Sequence, residues 1–209
     1  MREKYLKRNK TNPWRRFGKL GEEAAAGWLN NCTTVDWAIP HAMTNLSDKK
    51  RFQRKFGDVV VYKANGTITS VEVKTDDLCQ FTGNIGFETW ARYSKDPLSH
   101  SREKGWWHES HNFCFTSLIF VLVNKRSILI TQASEAKQWC HDNDHLFEVK
   151  ETTRSTQFNE GKKSQSMYIQ AEEFVKECPY AQHIDIDTTK IEEFCNKDET
   201  LRNRRQIYK

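Results

Sequence analysis

The clearest alternation of apolar and polar positions lies in the first third of the chain. Two runs, Gly57–Tyr62 and Thr67–Lys74, read as consecutive β-strands, with Ala64-Asn65-Gly66 between them as a hairpin signal. Successive strand side chains alternate faces, so Val71 and Val73 point one way while Glu72 and Lys74 point the other. The apolar pair can enter a core, leaving a carboxylate and an ammonium on a common side. Loop length decides whether an acid on the first strand joins them. A two-residue Asn65-Gly66 loop sets Asp58 opposite Val73, facing away from Glu72. A three-residue loop sets Asp58 opposite Glu72 and wants Gly66 in the left-handed region, where glycine carries no penalty. The three-residue loop, or a bulge with the same effect, is the expectation. Taken alone, the same residues also describe an ordinary amphipathic hairpin with exposed charges.

Upstream, Phe17–Leu29 reads as a helix with Ala25, Trp28 and Leu29 as its apolar stripe. Glu22 falls near the side of Ala25 and Ala26, small residues that permit close approach to a sheet. Glu23 lies about 100° round the helix and reads as solvent-facing. Beyond the helix, Val35–Ile39 is a short strand and Pro40–Arg54 a loop. Thr116–Val123 is a strongly apolar strand, paired with Ile128–Thr131 through Asn124-Lys125-Arg126. Ser134 is the expected N-cap of a helix ending at Asp142. Arg154–Ser166 reads as a polar loop, Met167–Gln170 as a strand and Ala171–Cys178 as a helix. Thr189 with Glu192 suggests a capping box opening a last helix.

Strands with helices on both sides predict an α/β sandwich around a mixed central sheet. The expected division is a basic N-terminal arm over 1–16, an α/β domain over 17–180, and a C-terminal helical extension with a basic tail over 181–209.

Composition narrows the class. At 209 residues the chain can bury an adequate core, and no apolar run approaches the length that spans a bilayer. The start of the chain is basic and lacks an apolar signal-peptide region. Six cysteines are scattered without a C-x-x-C pair, which points to reduced thiols in a cytosolic setting. The net charge is only +5, but its distribution is uneven. Basic residues crowd Met1–Lys19, including Arg15 and Arg16, and recur at Arg202–Lys209. Lys49, Lys50, Arg51, Arg54 and Lys55 lead directly into Asp58. Such clusters neutralise phosphates by counterion release, or serve solubility alone.

The helix Gly21-Glu22-x-x-Ala25-x-x-x-Leu29, then Gly57-Asp58 on a strand, then Glu72-Val73-Lys74 on the next, resembles the PD-(D/E)XK nuclease superfamily. Its members include Holliday-junction resolvases, many restriction enzymes and phage-encoded nucleases. The match covers Gly18–Asp76. One departure is plain: Gly57 stands where the family's namesake proline precedes the aspartate. The resemblance implies a restriction-endonuclease-like fold and a magnesium- or manganese-dependent deoxyribonuclease that leaves 5′-phosphate and 3′-hydroxyl ends. It implies Asp58 and Glu72 as metal ligands, with the Val73 carbonyl as an extra one. Lys74 would orient the attacking water or neutralise phosphate oxygens, and Glu22 would act through a water or a second ion. Acidic oxygens suit such hard cations.

Asn84-Ile85-Gly86-Phe87-Glu88 looks similar to a further strand beside the site in some phage and mobile-element members. It makes Glu88 and Asn84 accessory candidates, with a surface carboxylate as the plainer reading of Glu88. Resolvase and restriction relatives are often dimers, so a homodimer is one assembly the resemblance implies, in a bacterial or phage-infected cytoplasm. A DNA-binding module that keeps the fold without cleavage, and an RNA-directed nuclease, are the other readings.

Two remaining patterns have plainer explanations. His108-x-x-His111-x-x-Cys114 carries metal-type residues, but no regular element points all three at one ion. Seven tryptophans are many. Trp28 and Trp139 on helical stripes read as core. Trp90, Trp106 and Trp107 read as core or as stacking surfaces for unpaired bases.

Overall fold

The computed structural model describes residues 12–40, 57–94, 103–105, 107–108, 114–153 and 162–207. The chain forms two compact units. The first comprises Met1–Thr82, Cys114–Thr131 and Gln182–Lys209; the second comprises Gly83–Phe113 and Gln132–Ala181. Both interrupt the sequence, so the expected continuous domain over 17–180 is not how the chain divides.

The first unit opens with helix α1, Pro13–Leu29. It begins four residues before the expected Phe17, because Asn12 is its N-cap. The Asn12 carboxamide oxygen accepts the Trp14 N–H at 3.0 Å, and Pro13 takes the first helical position, where its missing N–H costs nothing. Arg15 and Arg16 therefore lie on a helix rather than in an arm. Strands β1 (Val35–Pro40), β2 (Val59–Lys63) and β3 (Ile68–Asp76) run antiparallel in turn. A short helix α2 (Cys79–Thr82) follows. Strand β6 (Ser117–Leu122) lies parallel to β3, with β7 (Ser127–Gln132) beside it and β10 (Ala181–Asp185) at the far edge. The result is a mixed six-stranded sheet in the order β1-β2-β3-β6-β7-β10. Helices α5 (Thr189–Lys197) and α6 (Glu199–Ile207) complete the unit. Residues 181–207 are thus not an appendage: they supply an edge strand and part of the core.

One sheet face carries Ala38, Val59, Val61, Val71, Val73, Ile119 and Val121. They pack with Phe17, Ala25, Ala26 and Leu29 of α1 and with Ile191, Cys195 and Leu201. Approach of α1 to β3 is very close at Gly21, where a Cβ would lie 1.8 Å from the Thr75 hydroxyl oxygen. Gly21→Ala is therefore expected to destabilise the protein by about 1–2 kcal/mol despite the helix propensity of alanine. Urea titration checks this, and Thr75→Ala in the same chain should recover most of the loss.

The second unit is a smaller sheet in the order β5-β4-β9-β8. Its strands are β4 (Asn84–Ser94), β5 (Glu103–Lys104), β8 (Glu148–Thr153) and β9 (Lys162–Gln170), all antiparallel. Helices α3 (Ala133–Asp142) and α4 (Ala171–Glu177) belong to it. Its aromatic core joins Phe87 to Trp107, Phe147 and Phe174, with Trp139 against the last two.

Two expected caps are displaced, one by two residues and the other by one. Strand β7 runs directly into α3 and makes Gln132 the N-cap in place of Ser134's expected role. At α5 the N-cap is Thr188, whose hydroxyl donates to the Val123 carbonyl at 2.6 Å. Lys162–Ser166 belong to β9 rather than to a loop, while 154–161 lie outside the described residues.

Candidate active site

The hairpin loop decides the site. Lys63 N–H donates to the Thr67 carbonyl at 2.9 Å and Gly66 N–H to the Lys63 carbonyl at 2.8 Å, closing Ala64-Asn65-Gly66 as a three-residue loop. Gly66 has φ +79°, the left-handed conformation the loop demands. Val59 pairs with Val71 and Val61 with Thr69, the register that a three-residue loop sets, and the ladder ends there with Asp58 at a bend just before β2. The Asp58 N–H donates to the Val71 carbonyl at 2.9 Å. Gly57 just before it has φ +72°, and a Cβ there would meet the Val71 carbonyl oxygen at 2.9 Å. Glycine is thus what this bend requires.

Asp58 is buried, and its Oδ2 accepts the Val73 N–H at 3.0 Å. Lys74 Nζ donates to Glu72 Oε1 at 2.6 Å. Burial pushes the Glu72 carboxyl above its ordinary range; Lys74 opposes the shift, while Asp58 adds to it through its charge and a side-chain hydrogen bond. Glu22 on α1 is pushed up to about 8, first by burial, then by Asp58, with Glu72 contributing and Lys19 opposing. Asp58 and Glu72 therefore act on Glu22, and Asp58 and Lys74 on Glu72, the groups being drawn from α1, the residue before β2 and the middle of β3. Glu23 is exposed and lines a separate groove of about 420 Å³ with Leu20, Trp28, Asp185 and Lys190.

Cys114 was not singled out for this site by the sequence. Its thiol is pushed up by partial burial, accepts a hydrogen bond from the Gly57 backbone, and feels Glu72 and Asp58. Ser70 holds this segment: its hydroxyl donates to the Cys114 carbonyl at 2.9 Å, and its carbonyl accepts the Thr116 N–H at 2.9 Å. Only the folded chain brings residue 114 to residue 57.

Glu88 and Asn84 lie on β4 of the second unit, where Glu88 pairs with Ser166 and the Asn84 carboxamide oxygen accepts from Gln170 at 2.6 Å. Arg15 is exposed, and the Arg16 guanidinium lies 4.9 Å over the Phe194 ring. Lys49, Lys50, Arg51, Arg54, Lys55, Trp106 and His111 lie outside the described residues. Trp107 is fully buried, which removes it as a stacking surface, and His108 packs edge-on against Trp90. The described cysteines are free thiols.

Among the described residues no group of three His, Cys, Asp or Glu side chains is arranged to hold a metal ion. The donor chemistry nevertheless fits magnesium or manganese, which are often held by one or two carboxylates together with substrate phosphate. The raised proton affinity of Glu22 and Glu72 comes first from burial, and the part added by Asp58 is what a cation would relieve. Comparison with protein-family models, with curated proteins and with solved structures finds no match to this chain.

Proposed function

We propose that this protein is a metal-dependent deoxyribonuclease with a PD-(D/E)XK-type site on a restriction-endonuclease-like fold. The carrying observation is that Asp58, bonded to the Val73 N–H, and Glu72, bonded to Lys74, both act on the buried Glu22 carboxyl, on elements arranged in the family's order. Asp58, Glu72 and the Val73 carbonyl would hold Mg²⁺ or Mn²⁺. When bound, the ion supplies Lewis-acid activation of water and neutralises charge developing on the phosphate.

The chain's own residues have separate tasks in this reading. Asp58 is immobilised by the Val73 N–H, so its second oxygen is presented in a fixed direction. Lys74 exchanges its bond to Glu72 for a phosphate oxygen or the attacking water and stabilises charge in the transition state. Glu22, held protonated near neutral pH, is a proton donor or a carboxylate that ionises as positive charge enters. DNA is the proposed partner, and the basic stretches of the sequence supply phosphate contacts. Among the described residues no helix is long and apolar enough to cross a membrane.

The test is incubation of the intact protein with linear duplex, single-stranded and branched DNA and with RNA, in Mg²⁺ or Mn²⁺ and in EDTA. Cutting of DNA that EDTA abolishes and that leaves 5′-phosphates supports the reading. Intact DNA in every reaction, or RNA cut in preference to DNA, defeats it.

A further inference from the structure

Strand β1 is an edge strand, yet it exposes large apolar side chains: Trp37 is 41% exposed, Ile39 37% and, two strands away, Ile68 57%. The registers place these residues in cross-strand rows. Trp37 pairs with Tyr62 and Tyr62 with Ile68; Ile39 pairs with Val60 and Val60 with Ser70. This face is opposite the one that carries Ala38, Val61 and Val71 into the core. A register shift between Val35 and Trp37 creates it: Val35 packs against the core while Trp37 turns out. The Trp37 and Tyr62 rings are stacked, with centroids 3.6 Å apart and planes 18° apart.

The same parity sets Glu72 on this face, and Asp58, just before β2, interacts with it. The aromatic row lies four residues from them along β2 and β3, about 13 Å at the rise of a strand, which is the length of about four stacked nucleotides. Between the two, Ser70 is covered by the Cys114–Thr116 segment it binds.

We propose that the Trp37–Tyr62 stack is a platform for an unpaired base of the substrate strand, a few nucleotides from the phosphate at the carboxylate site, so that the preferred substrate contains single-stranded nucleotides. This rests on the nuclease reading of that site and adds the substrate class to it. The occupant follows from the chemistry: rings already stacked in parallel extend readily by one more flat ring, and the row shares a strand pair with the acidic site, four residues away, with Ser70 and Val60 buried between them. A base inside a duplex is stacked on both sides and cannot join.

The test measures binding in EDTA, where nothing is cut, to a short labelled single strand, a blunt duplex and a duplex with an unpaired tail. Trp37→Ala is expected to weaken single-strand and tailed-duplex binding by on the order of tenfold to a hundredfold, with blunt-duplex binding nearly unchanged. Trp37→Phe should keep most of the affinity. Tyr62→Leu, which preserves an apolar strand residue, should lose affinity with the fold intact by circular dichroism. Equal losses for all three DNAs, or none, overturn the proposal. So does a concentration-dependent dimer that Trp37→Ala abolishes while single-strand binding stays, since that makes the patch a contact between copies. The two readings fail separately: DNA cut by a Trp37→Ala protein with native preferences removes the platform alone, whereas Trp37-dependent binding without cleavage removes the nuclease alone.

Discussion

Asp58→Asn should cut DNA about a thousandfold more slowly than the native protein, yet in EDTA at pH 8 it should melt a few degrees higher. The two effects have one cause. Asparagine keeps a carbonyl oxygen to accept the Val73 N–H, so the 3.0 Å bond that holds β2 to β3 survives. What disappears is a buried negative charge that pushes up both Glu22 and Glu72. Relief of that repulsion contributes about 1 kcal/mol, or a few degrees of melting temperature for a chain of this size. Activity on branched or single-stranded DNA and a melting scan check the pair. A variant that cuts normally, or melts lower than native at pH 8, contradicts the assignment. Lys74→Ala should also lose activity, by on the order of a hundredfold or more, but its effect on Glu72 has the opposite sign. Removing the ammonium 2.6 Å from Glu72 leaves a buried carboxyl whose proton affinity rises further.

The second large effect is a dependence of stability on pH centred on Glu22. The carboxyl stands at about 8 in the folded protein and near the ordinary glutamate value when unfolded. Below the unfolded value both states are protonated, and stability is fully present. As pH rises towards 8, the unfolded chain gives up the proton and the folded chain keeps it. Stability therefore falls by up to about 1.4 kcal/mol per pH unit, a few kcal/mol in all, and levels off above the folded value. Glu72 is shifted in the same direction and adds to the slope.

Glu22→Gln removes the Glu22 part of this slope. Its melting temperature in EDTA should change much less between pH 5 and 9 than that of the native protein, and the two curves should separate most at the alkaline end. Mg²⁺ or Mn²⁺ should raise the native melting temperature more at pH 8 than at pH 5, since cation and proton compete for the same carboxyls. Identical curves for native and Glu22→Gln protein in EDTA would show that Glu22 titrates normally.

The helix start and the displaced caps show where local reading is weak. Asn12-Pro13 is a strong N-terminal signal, but the apolar period becomes obvious only from Phe17, so period alone starts the helix four residues late. Ser134 has cap chemistry and lies two residues inside the real start, because β7 turns into α3 without a loop. A cap is chosen by where the backbone leaves the preceding strand, and residue preference follows that choice.

The hairpin behaves differently. Alternation of Val71 and Val73 with Glu72 and Lys74, joined to a glycine that tolerates positive φ, was enough to set the three-residue loop and the register of β2 on β3, because strand period and turn geometry are short-range properties of consecutive residues. The small residues of α1 likewise announced its close approach to the sheet. The chain's order alone did not disclose that β6 lies parallel to β3, that residues 181–185 form the far edge of the sheet, or that Cys114 reaches Gly57. Nor did it disclose that Glu22 is desolvated enough to hold a proton near pH 8, or that a register shift turns Trp37 outward. Those outcomes depend on pairings between distant segments and on the water they exclude. Both are settled by which packing of the whole chain buries the most apolar surface at least cost to its charges, and no window of neighbouring residues contains that comparison.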